Sequence, residues 1–158
     1  MKELSKIFED AGCQHVKTYI QSGNVAFNAR IRSVDRFTDT IGKAIETAFG
    51  FRPAIRLLTA KALRDAIAAN PYPQAAAEPK SLHLSFLEDA PDAANIINIE
   101  QLLSGSESYT LTDRVLYFYA PDGIGRSKFA GNIDKALGVG STARNWRTIT
   151  ALEKLTSE

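Results

Sequence analysis

The spacing of apolar residues predicts a helix and then a β-hairpin at the start of the chain. Four apolar residues recur at helical spacing, and Gly12 follows them as a stop signal. These four are Leu4, Ile7, Phe8 and Ala11. Residues 15–28 alternate between apolar and polar, with a turn at Gly23 and Asn24, which is the pattern of two strands joined by a hairpin.

A second helix and a further strand extend the pattern of the first half. Ser33 can cap a helix that Gly50 ends, because a serine hydroxyl accepts a free amide and glycine adopts the left-handed conformation after a helix. The inward face of this helix consists of Val34, Phe37, Ile41, Ile45 and Ala48. Residues 52–58 are expected to form a strand, and Thr59 to cap a short helix that ends at Asn70.

The second half of the chain repeats this alternation of strands and helices. Its predicted strands are residues 81–88, 107–111 and 115–120. The last of these is apolar on both faces, so we expect it in the middle of a sheet. The predicted helices of this half begin near Pro91, Ser127 and Trp146.

The order of these elements predicts an α+β protein built from two ferredoxin-like plaits of βαββαβ type. Residues 1–70 form the first subdomain, which lacks its opening strand, and residues 71–158 form the second, with a C-terminal helix. The boundary falls at Pro71, because proline disfavours continuation of the preceding helix. The side chains predicted to be buried are Phe8, Phe27, Phe37, Ile41, Leu84, Phe86, Phe118 and Ile133.

Composition and charge limit the class of protein. The chain of 158 residues is 44% hydrophobic and 23% charged, which is typical of globular proteins and excludes a disordered one. Its net charge of +1 argues against a DNA-packaging role. No stretch has the length of a membrane span or the form of a signal peptide, so we predict neither membrane insertion nor secretion.

The cysteine and histidine content excludes several common sites. Cys13 is the single cysteine and cannot form an intramolecular disulfide, so we expect a cytoplasmic protein. With two separated histidines, His15 and His83, no zinc site of ordinary spacing is available, and no motif supports a Ser-His-Asp arrangement. We therefore predict no metal and no cofactor, and we expect Cys13 to be a packed residue rather than a nucleophile.

A glycine-rich run leads into the helix near Ser127 and supplies the first candidate site. Residues 123–128 include Arg126 and Lys128, and backbone amides near the positive end of a helix favour an anion. The run has the spacing of neither a P-loop nor a dinucleotide fingerprint. The alternative is an ordinary glycine turn in which Ser127 caps the helix.

Planar donors beside a tryptophan supply the second candidate site. Arg144, Asn145 and Arg147 flank Trp146, a combination that suits phosphates and bases. The predicted anion-binding residues are Arg126, Ser127, Lys128, Arg144, Asn145 and Arg147. The alternative is that Trp146 lies in the core and that both arginines make structural ion pairs.

The polar run from Gln21 to Asn24 is a third candidate. Its amides could contact a ligand, but the chemistry of a turn explains all four residues. The turn is therefore the favoured interpretation.

Four segments of the chain resemble the bacterial DUF1697 family, and the resemblance covers essentially the whole chain. They are TYIQSGNVAF at 18–27, ANPYP at 69–73, DGIGRSK at 122–128 and ARNWRT at 143–148. The resemblance implies two plait-like subdomains and no established reaction. Members of this family usually open with a strand and a glycine-rich loop ahead of the helix that begins here at Met1. That difference predicts a start assigned too far downstream, a rearranged strand order within the first half, or a first sheet that a second copy completes or whose edges dimerisation seals.

Three functions fit these features. The first is a binding module for a nucleotide or another phosphate-containing or anionic ligand, supported by the open face that a plait sheet offers. Nucleic acid is a weaker version of this hypothesis, because the aromatic signature of an RNA-recognition motif is missing.

The second is an enzyme acting on a phosphorylated small molecule, with Arg126 or Arg144 as a clamp. The third is a self-associating protein, a homodimer through residues 15–28 or 52–58, because unpaired strand edges favour strand addition.

Overall fold

Helices and strands follow one another in the computed structural model much as the hydrophobic pattern predicts. The structure describes residues 1–20 and 23–158. In these residues the helices are α1 (Lys2–Asp10), α2 (Val34–Phe49), α3 (Ala60–Ala68), α4 (Ala93–Glu100), α5 (Lys128–Leu137) and α6 (Trp146–Ser157). The strands are β1 (Gln14–Tyr19), β2 (Asn24–Asn28), β3 (Leu82–Leu87), β4 (Ser108–Leu111), β5 (Val115–Tyr119) and β6 (Ser141–Asn145). Two short 3-10 turns, Pro73–Ala76 and Pro79–Ser81, precede β3.

The chain divides into two units. Unit 1 comprises Met1–Lys61 with Ala151–Glu158, and unit 2 comprises Ala62–Thr150. Each unit contains one antiparallel sheet, so the fold class is α+β, as expected. No helix in the described residues combines the length and the apolar character needed to cross a bilayer.

Unit 1 contains the predicted hairpin, in which β1 pairs antiparallel with β2. The two strands and their pairing confirm the predicted hairpin. Asn24, predicted as a turn residue, is instead the first residue of β2 and pairs with Tyr19. Gly23 has a φ of +75° and thus adopts the backbone conformation that favours glycine. Gln21 and Ser22, which belong to the predicted polar loop, lie outside the described residues.

Helix α2 begins and ends at the predicted residues. The Oγ of Ser33 accepts a hydrogen bond from the amide of Arg36, and Gly50 follows the helix with a φ of +81°. Ile41 and Ile45 are buried and Phe37 packs against them, which confirms the middle of the predicted face. The two ends of this face were predicted wrongly, since Val34 in the first turn is 54% exposed and Ala48 in the last turn is exposed as well.

The core of unit 1 is built from α1, α2 and the hairpin. Phe8 is buried and lies 5.1 Å from Phe27, measured between ring centroids. Phe27 in turn lies 5.6 Å from Phe37. The two phenylalanines beside Phe8 are half-buried rather than buried, so the burial prediction is confirmed for Phe8 and is too strong for Phe27 and Phe37.

The strand predicted at residues 52–58 does not form. These residues carry no strand, and the sheet of unit 1 contains β1 and β2 alone among the described residues. A strand needs a neighbour for its amides and carbonyls, and Pro53 has no amide to donate. Ile55 packs against the core cluster of unit 1. The apolar pattern therefore indicated burial and not strand pairing.

Unit 2 contains a four-stranded antiparallel sheet with the order β4-β5-β3-β6. The central position of β5 confirms the prediction from its two apolar faces. Strand β6 was missed by the sequence analysis, because STARN is polar and shows no alternation of apolar residues. It pairs with β3 along its length, from Ser141 opposite Leu87 to Asn145 opposite His83.

Helices α4 and α5 cover one face of this sheet. Phe118 on β5 stacks on Phe129 of α5 with ring centroids 4.5 Å apart, and Ile99 of α4 is fully buried in the same cluster. Ile133 is buried there too, as predicted. The early residues of α5 are thereby held over the end of β5.

The opposite face of the sheet is covered within unit 2 rather than open. Leu84 and Phe86 are buried, as predicted, and Leu84 stands opposite Tyr117 on this face. The hydroxyl of Tyr117 donates a hydrogen bond of 2.6 Å to the backbone oxygen of Ala66 in α3. Tyr72 stacks on Tyr119 at 5.3 Å. The open sheet face that was expected to support ligand binding is therefore absent from this sheet.

Candidate functional site

An open cleft of about 410 Å³ lies in unit 2, at the end of the sheet where β3 begins and β5 ends. Three separate stretches of the chain form it: the turn that leads into β3, the loop that follows β5, and the first turn of α6. Its lining residues are Ala77, Glu78, Pro79, Lys80, Ser81, Ala120, Pro121, Asp122, Gly123 and Arg147.

Backbone hydrogen bonds fix the floor of the cleft. The amide of Ala120 donates to the backbone oxygen of Ser81 over 2.7 Å, and both residues are buried. The hydroxyl of Ser81 donates to the backbone oxygen of Glu78 over 2.6 Å. The bond between Ala120 and Ser81 extends the β3–β5 pairing by one residue beyond Leu82 and Tyr119, so the floor of the cleft continues the sheet.

The loop after β5 forms one wall. Gly123 has a φ of +91°, and its amide donates to the backbone oxygen of Ala120 over 3.0 Å, which closes a tight turn around Asp122. The hydroxyl of Ser106 donates to Oδ2 of Asp122 over 2.6 Å. The carboxylate of Asp122 is therefore held in position at the rim.

Arg147 and Lys80 bring positive charge to the cleft. Both side chains are exposed, and neither has an ion pair or a side-chain hydrogen bond with any residue in the described part of the chain. Arg147 belongs to the first turn of α6, where Oδ1 of Asn145 accepts the amide hydrogen of Thr148 over 2.9 Å. Asn145 thus caps the helix that presents Arg147.

The glycine-rich run ends in a capped helix. The Oγ of Ser127 accepts the amide hydrogen of Ala130 over 3.1 Å, so the cap proposed as the alternative interpretation is confirmed. Arg126 and Lys128 are exposed and are not among the lining residues of the cleft. They follow the lining residue Gly123 by three and five positions in the chain.

Arg144 lies on the other side of the sheet from α5. It stands directly opposite Leu84 in the β3–β6 pair, and Leu84 shares a face with Tyr117. The guanidinium donates to the neighbouring backbone oxygen of Ala143 over 2.8 Å, and burial lowers its pKa. The structure therefore does not bring Arg144 together with Arg147 at the cleft.

Trp146 and His83 lie close to the cleft in the chain but are not part of its lining. Trp146 is half-buried at the start of α6. His83 stands opposite Phe118 and Asn145, on the face of the sheet that α5 covers. Its Nδ1 is buried and has no hydrogen-bond partner among the described residues, and burial lowers its pKa. The ring is thus held neutral at neutral pH.

Three of the four charged residues at the cleft were missed by the sequence analysis. Glu78, Lys80 and Asp122 line the cleft, but no motif pointed to them. The sequence feature that could have pointed to them is the occurrence of charged residues next to proline or glycine in the turn sequences EPKS and PDG. Their convergence depends on the pairing of β3 with β5.

Cys13 is buried in the core of unit 1, and burial raises the pKa of its thiol. Among the described residues, no cluster of three or more histidine, cysteine or acidic side chains is arranged to hold a metal ion.

The fold and the cleft define an α+β protein that carries a small polar site at the end of an antiparallel sheet. The chain belongs to DUF1697, a family of proteins of unknown function, whose model matches residues 1–117. The matched range includes Glu78 and Lys80 and ends before Asp122 and Arg147. No curated protein matches the chain.

A solved structure has a similar fold. It is a conserved bacterial protein from Streptococcus pneumoniae, with a TM-score of 0.74 and 16% sequence identity to this chain. The match covers 100% of this chain and 89% of the Streptococcus pneumoniae chain. At this level of identity the similarity concerns the fold alone.

Proposed function

We propose that the chain binds a phosphate-containing or other anionic small molecule at the cleft, with Arg147 as the principal contact. The observation that carries this proposal is the position of Arg147, which lines the cleft without an ion pair in the described residues and faces the same space as Lys80. An arginine guanidinium presents two parallel N–H donors to a phosphate, and a lysine adds a point charge.

Positive charge that follows the cleft loop in the chain also favours an anion. Arg126 and Lys128 are exposed beside the N-terminus of α5, whose first amides carry partial positive charge. Ser127 contributes by capping this helix. In this proposal Asn145 acts indirectly, since it caps α6 and thereby positions Arg147, whereas Arg144 is predicted to have no role in the cleft.

Titration of the protein with inorganic phosphate, followed by NMR or calorimetry, tests the proposal. Arg147→Ala should weaken phosphate binding by about 10-fold or more, because a hydrogen bond to a charged group contributes about 1.5–3 kcal/mol. Arg144→Ala is the matched control and should leave the affinity unchanged. Equal effects of the two variants, or none from Arg147→Ala, would refute the proposed site.

Incubation with a phosphorylated ligand that binds, followed by analysis of the ligand, distinguishes a binding protein from an enzyme. If a phosphorylated ligand that binds is recovered unchanged after long incubation, the chain is a binding module, as we propose. Conversion of the ligand would support the alternative of an enzyme acting on a phosphorylated small molecule. A cytoplasmic location stays a prediction from the single cysteine.

We also propose that unit 2 is a ferredoxin-like plait. The strand order β4-β5-β3-β6, with α4 between β3 and β4 and α5 between β5 and β6, supports this assignment. Unit 1 has the αββα part of such a plait, and the subdomain boundary at residue 70 stays a prediction. A solved structure of the chain would test both assignments.

Self-association through unit 1 is the second candidate, and exposed apolar side chains favour it. Phe51 is 60% exposed, Ile20 53% and Phe49 42%. The sheet of unit 1 has two strands in the described residues, so each strand has an edge without a partner there. Such an edge accepts a strand from another chain, and we propose a second copy as the occupant.

Light scattering over about a hundredfold range of micromolar concentrations tests this candidate, because mass action makes a dimer concentration-dependent. A dimer that Phe51→Ser dissociates would support it, with Ile97→Ser in unit 2 as the control at a similarly exposed residue. A constant monomer mass would reject it.

A further inference from the structure

The cleft contains two carboxylates as well as two cations, and this mixture restricts the ligand. We infer that the ligand is a phosphate monoester of a hydroxyl-bearing small molecule, whose hydroxyl groups donate hydrogen bonds to Glu78 and Asp122 while Lys80 and Arg147 hold its phosphate. This inference rests on the proposed anion site at the cleft.

Asp122 is fixed as a hydrogen-bond acceptor. Its Oδ2 accepts the hydroxyl hydrogen of Ser106, which leaves Oδ1 without a hydrogen bond from any described residue. An ionised carboxylate accepts hydrogen bonds and donates none. The free oxygen therefore selects a donor, and a sugar or polyol hydroxyl is such a donor.

Two hydrogen bonds to its backbone oxygen hold Glu78 at the cleft. The amide and the hydroxyl of Ser81 both donate to its backbone oxygen, at 2.9 Å and 2.6 Å. Its side chain is exposed at the cleft and has no hydrogen bond or ion pair within the described residues. It is thus a second acceptor on the wall that also carries Lys80.

The charge balance of the lining disfavours a polyanion. Glu78 and Asp122 together offset the charges of Lys80 and Arg147, and like charges in close contact are repulsive. A polyphosphate or a nucleic acid strand would bring several phosphates against these carboxylates. A small molecule with one phosphate and several hydroxyl groups can place the phosphate next to the two cations and its hydroxyl groups next to the two carboxylates.

The size of the cleft agrees with this class of ligand. Its volume of about 410 Å³ lies within the range of about 300–1,000 Å³ that is common for small-molecule sites. A sugar phosphate or a mononucleotide has these dimensions and this chemistry. Both contain a phosphate monoester and free hydroxyl groups, and the test below distinguishes between them.

Calorimetric titration with inorganic phosphate, ribose 5-phosphate and adenosine monophosphate tests the inference. Ribose 5-phosphate should bind more tightly than inorganic phosphate. Asp122→Asn and Glu78→Gln should each weaken ribose 5-phosphate by about three- to tenfold, because a neutral amide oxygen accepts a weaker hydrogen bond than a carboxylate does, and should leave inorganic phosphate unchanged or bound more tightly. Both substitutions preserve side-chain size, and circular dichroism confirms the folding of each variant.

The possible outcomes separate this inference from the proposed function. If Arg147→Ala weakens inorganic phosphate while Asp122→Asn and Glu78→Gln do not alter the preference for ribose 5-phosphate, the inference is wrong and the anion site stands. If Arg147→Ala affects none of the three probes, both fail. Tighter binding of adenosine monophosphate than of ribose 5-phosphate identifies a nucleotide, and equal affinities identify a sugar phosphate.

Discussion

Tyr117 donates a hydrogen bond of 2.6 Å from its hydroxyl to the backbone oxygen of Ala66. The bond joins the central strand of the four-stranded sheet to helix α3 and lies in the interior of unit 2. Burial raises the pKa of the Tyr117 hydroxyl, so it stays a donor throughout the neutral range. The bond connects α3 to the sheet face on which Tyr72 also stacks on Tyr119.

Replacing Tyr117 by phenylalanine should destabilise the protein by about 1–3 kcal/mol, because the buried carbonyl of Ala66 would be left without a partner. The measurement is the free energy of unfolding in urea. Tyr119→Phe is the control, since the Tyr119 ring stacks on Tyr72 but its hydroxyl has no hydrogen bond with the described residues. Equal losses in the two variants would contradict this account.

The stability of the protein should fall as the pH drops below about 6.5, the ordinary pKa of histidine. Burial lowers the pKa of His83 in the folded state, so the unfolded chain takes up a proton first. Because the unfolded state binds more protons in this window, the stabilising contribution is complete above the unfolded pKa and is lost as the pH falls toward the folded pKa.

Urea unfolding from about pH 8 to about pH 5 measures this dependence. In His83→Gln the loss of stability on acidification should be smaller than in the parent protein. His15→Gln serves as the control, because the His15 side chain is exposed. The same pH slope in the parent and in His83→Gln would show that His83 does not cause the effect.

The cap of α5 should contribute to stability independently of any ligand. Ser127→Ala removes the acceptor of the Ala130 amide and should cost about 1 kcal/mol. Ser127→Asp should restore most of this loss, because aspartate is also a good cap and its charge favours the helix N-terminus. Ser157→Ala, at the exposed end of α6, should have little effect on the unfolding midpoint.

Cys13 should react slowly with a thiol reagent in the native protein. The thiol is buried among the aromatic side chains of unit 1, and its raised pKa reduces the thiolate fraction that reacts. Labelling measured by mass spectrometry should accelerate strongly in denaturant. Rapid labelling of the folded protein would show that this part of unit 1 opens readily.

Local interactions explain why the sequence predicted so many element boundaries. The caps at Ser33, Gly50 and Ser127 depend on residues within one helical turn, and the periodic apolar faces depend on the geometry of a helix or strand. Even so, residues 52–58 form no strand, because an apolar pattern does not supply the partner that a strand requires.

The sequence alone determined the α+β class, the positions of most helices and strands, and the absence of ordinary zinc-ligand spacing, since these follow from local periodicity and residue content. Tertiary structure decided the site. Pairing of β3 with β6 places Arg144 on one face of the sheet, while the pairing of β3 with β5 brings Ser81 beside Ala120 and forms the floor of the cleft. Strand register is a long-range property, and a shift of one residue would reverse which side chains share a face.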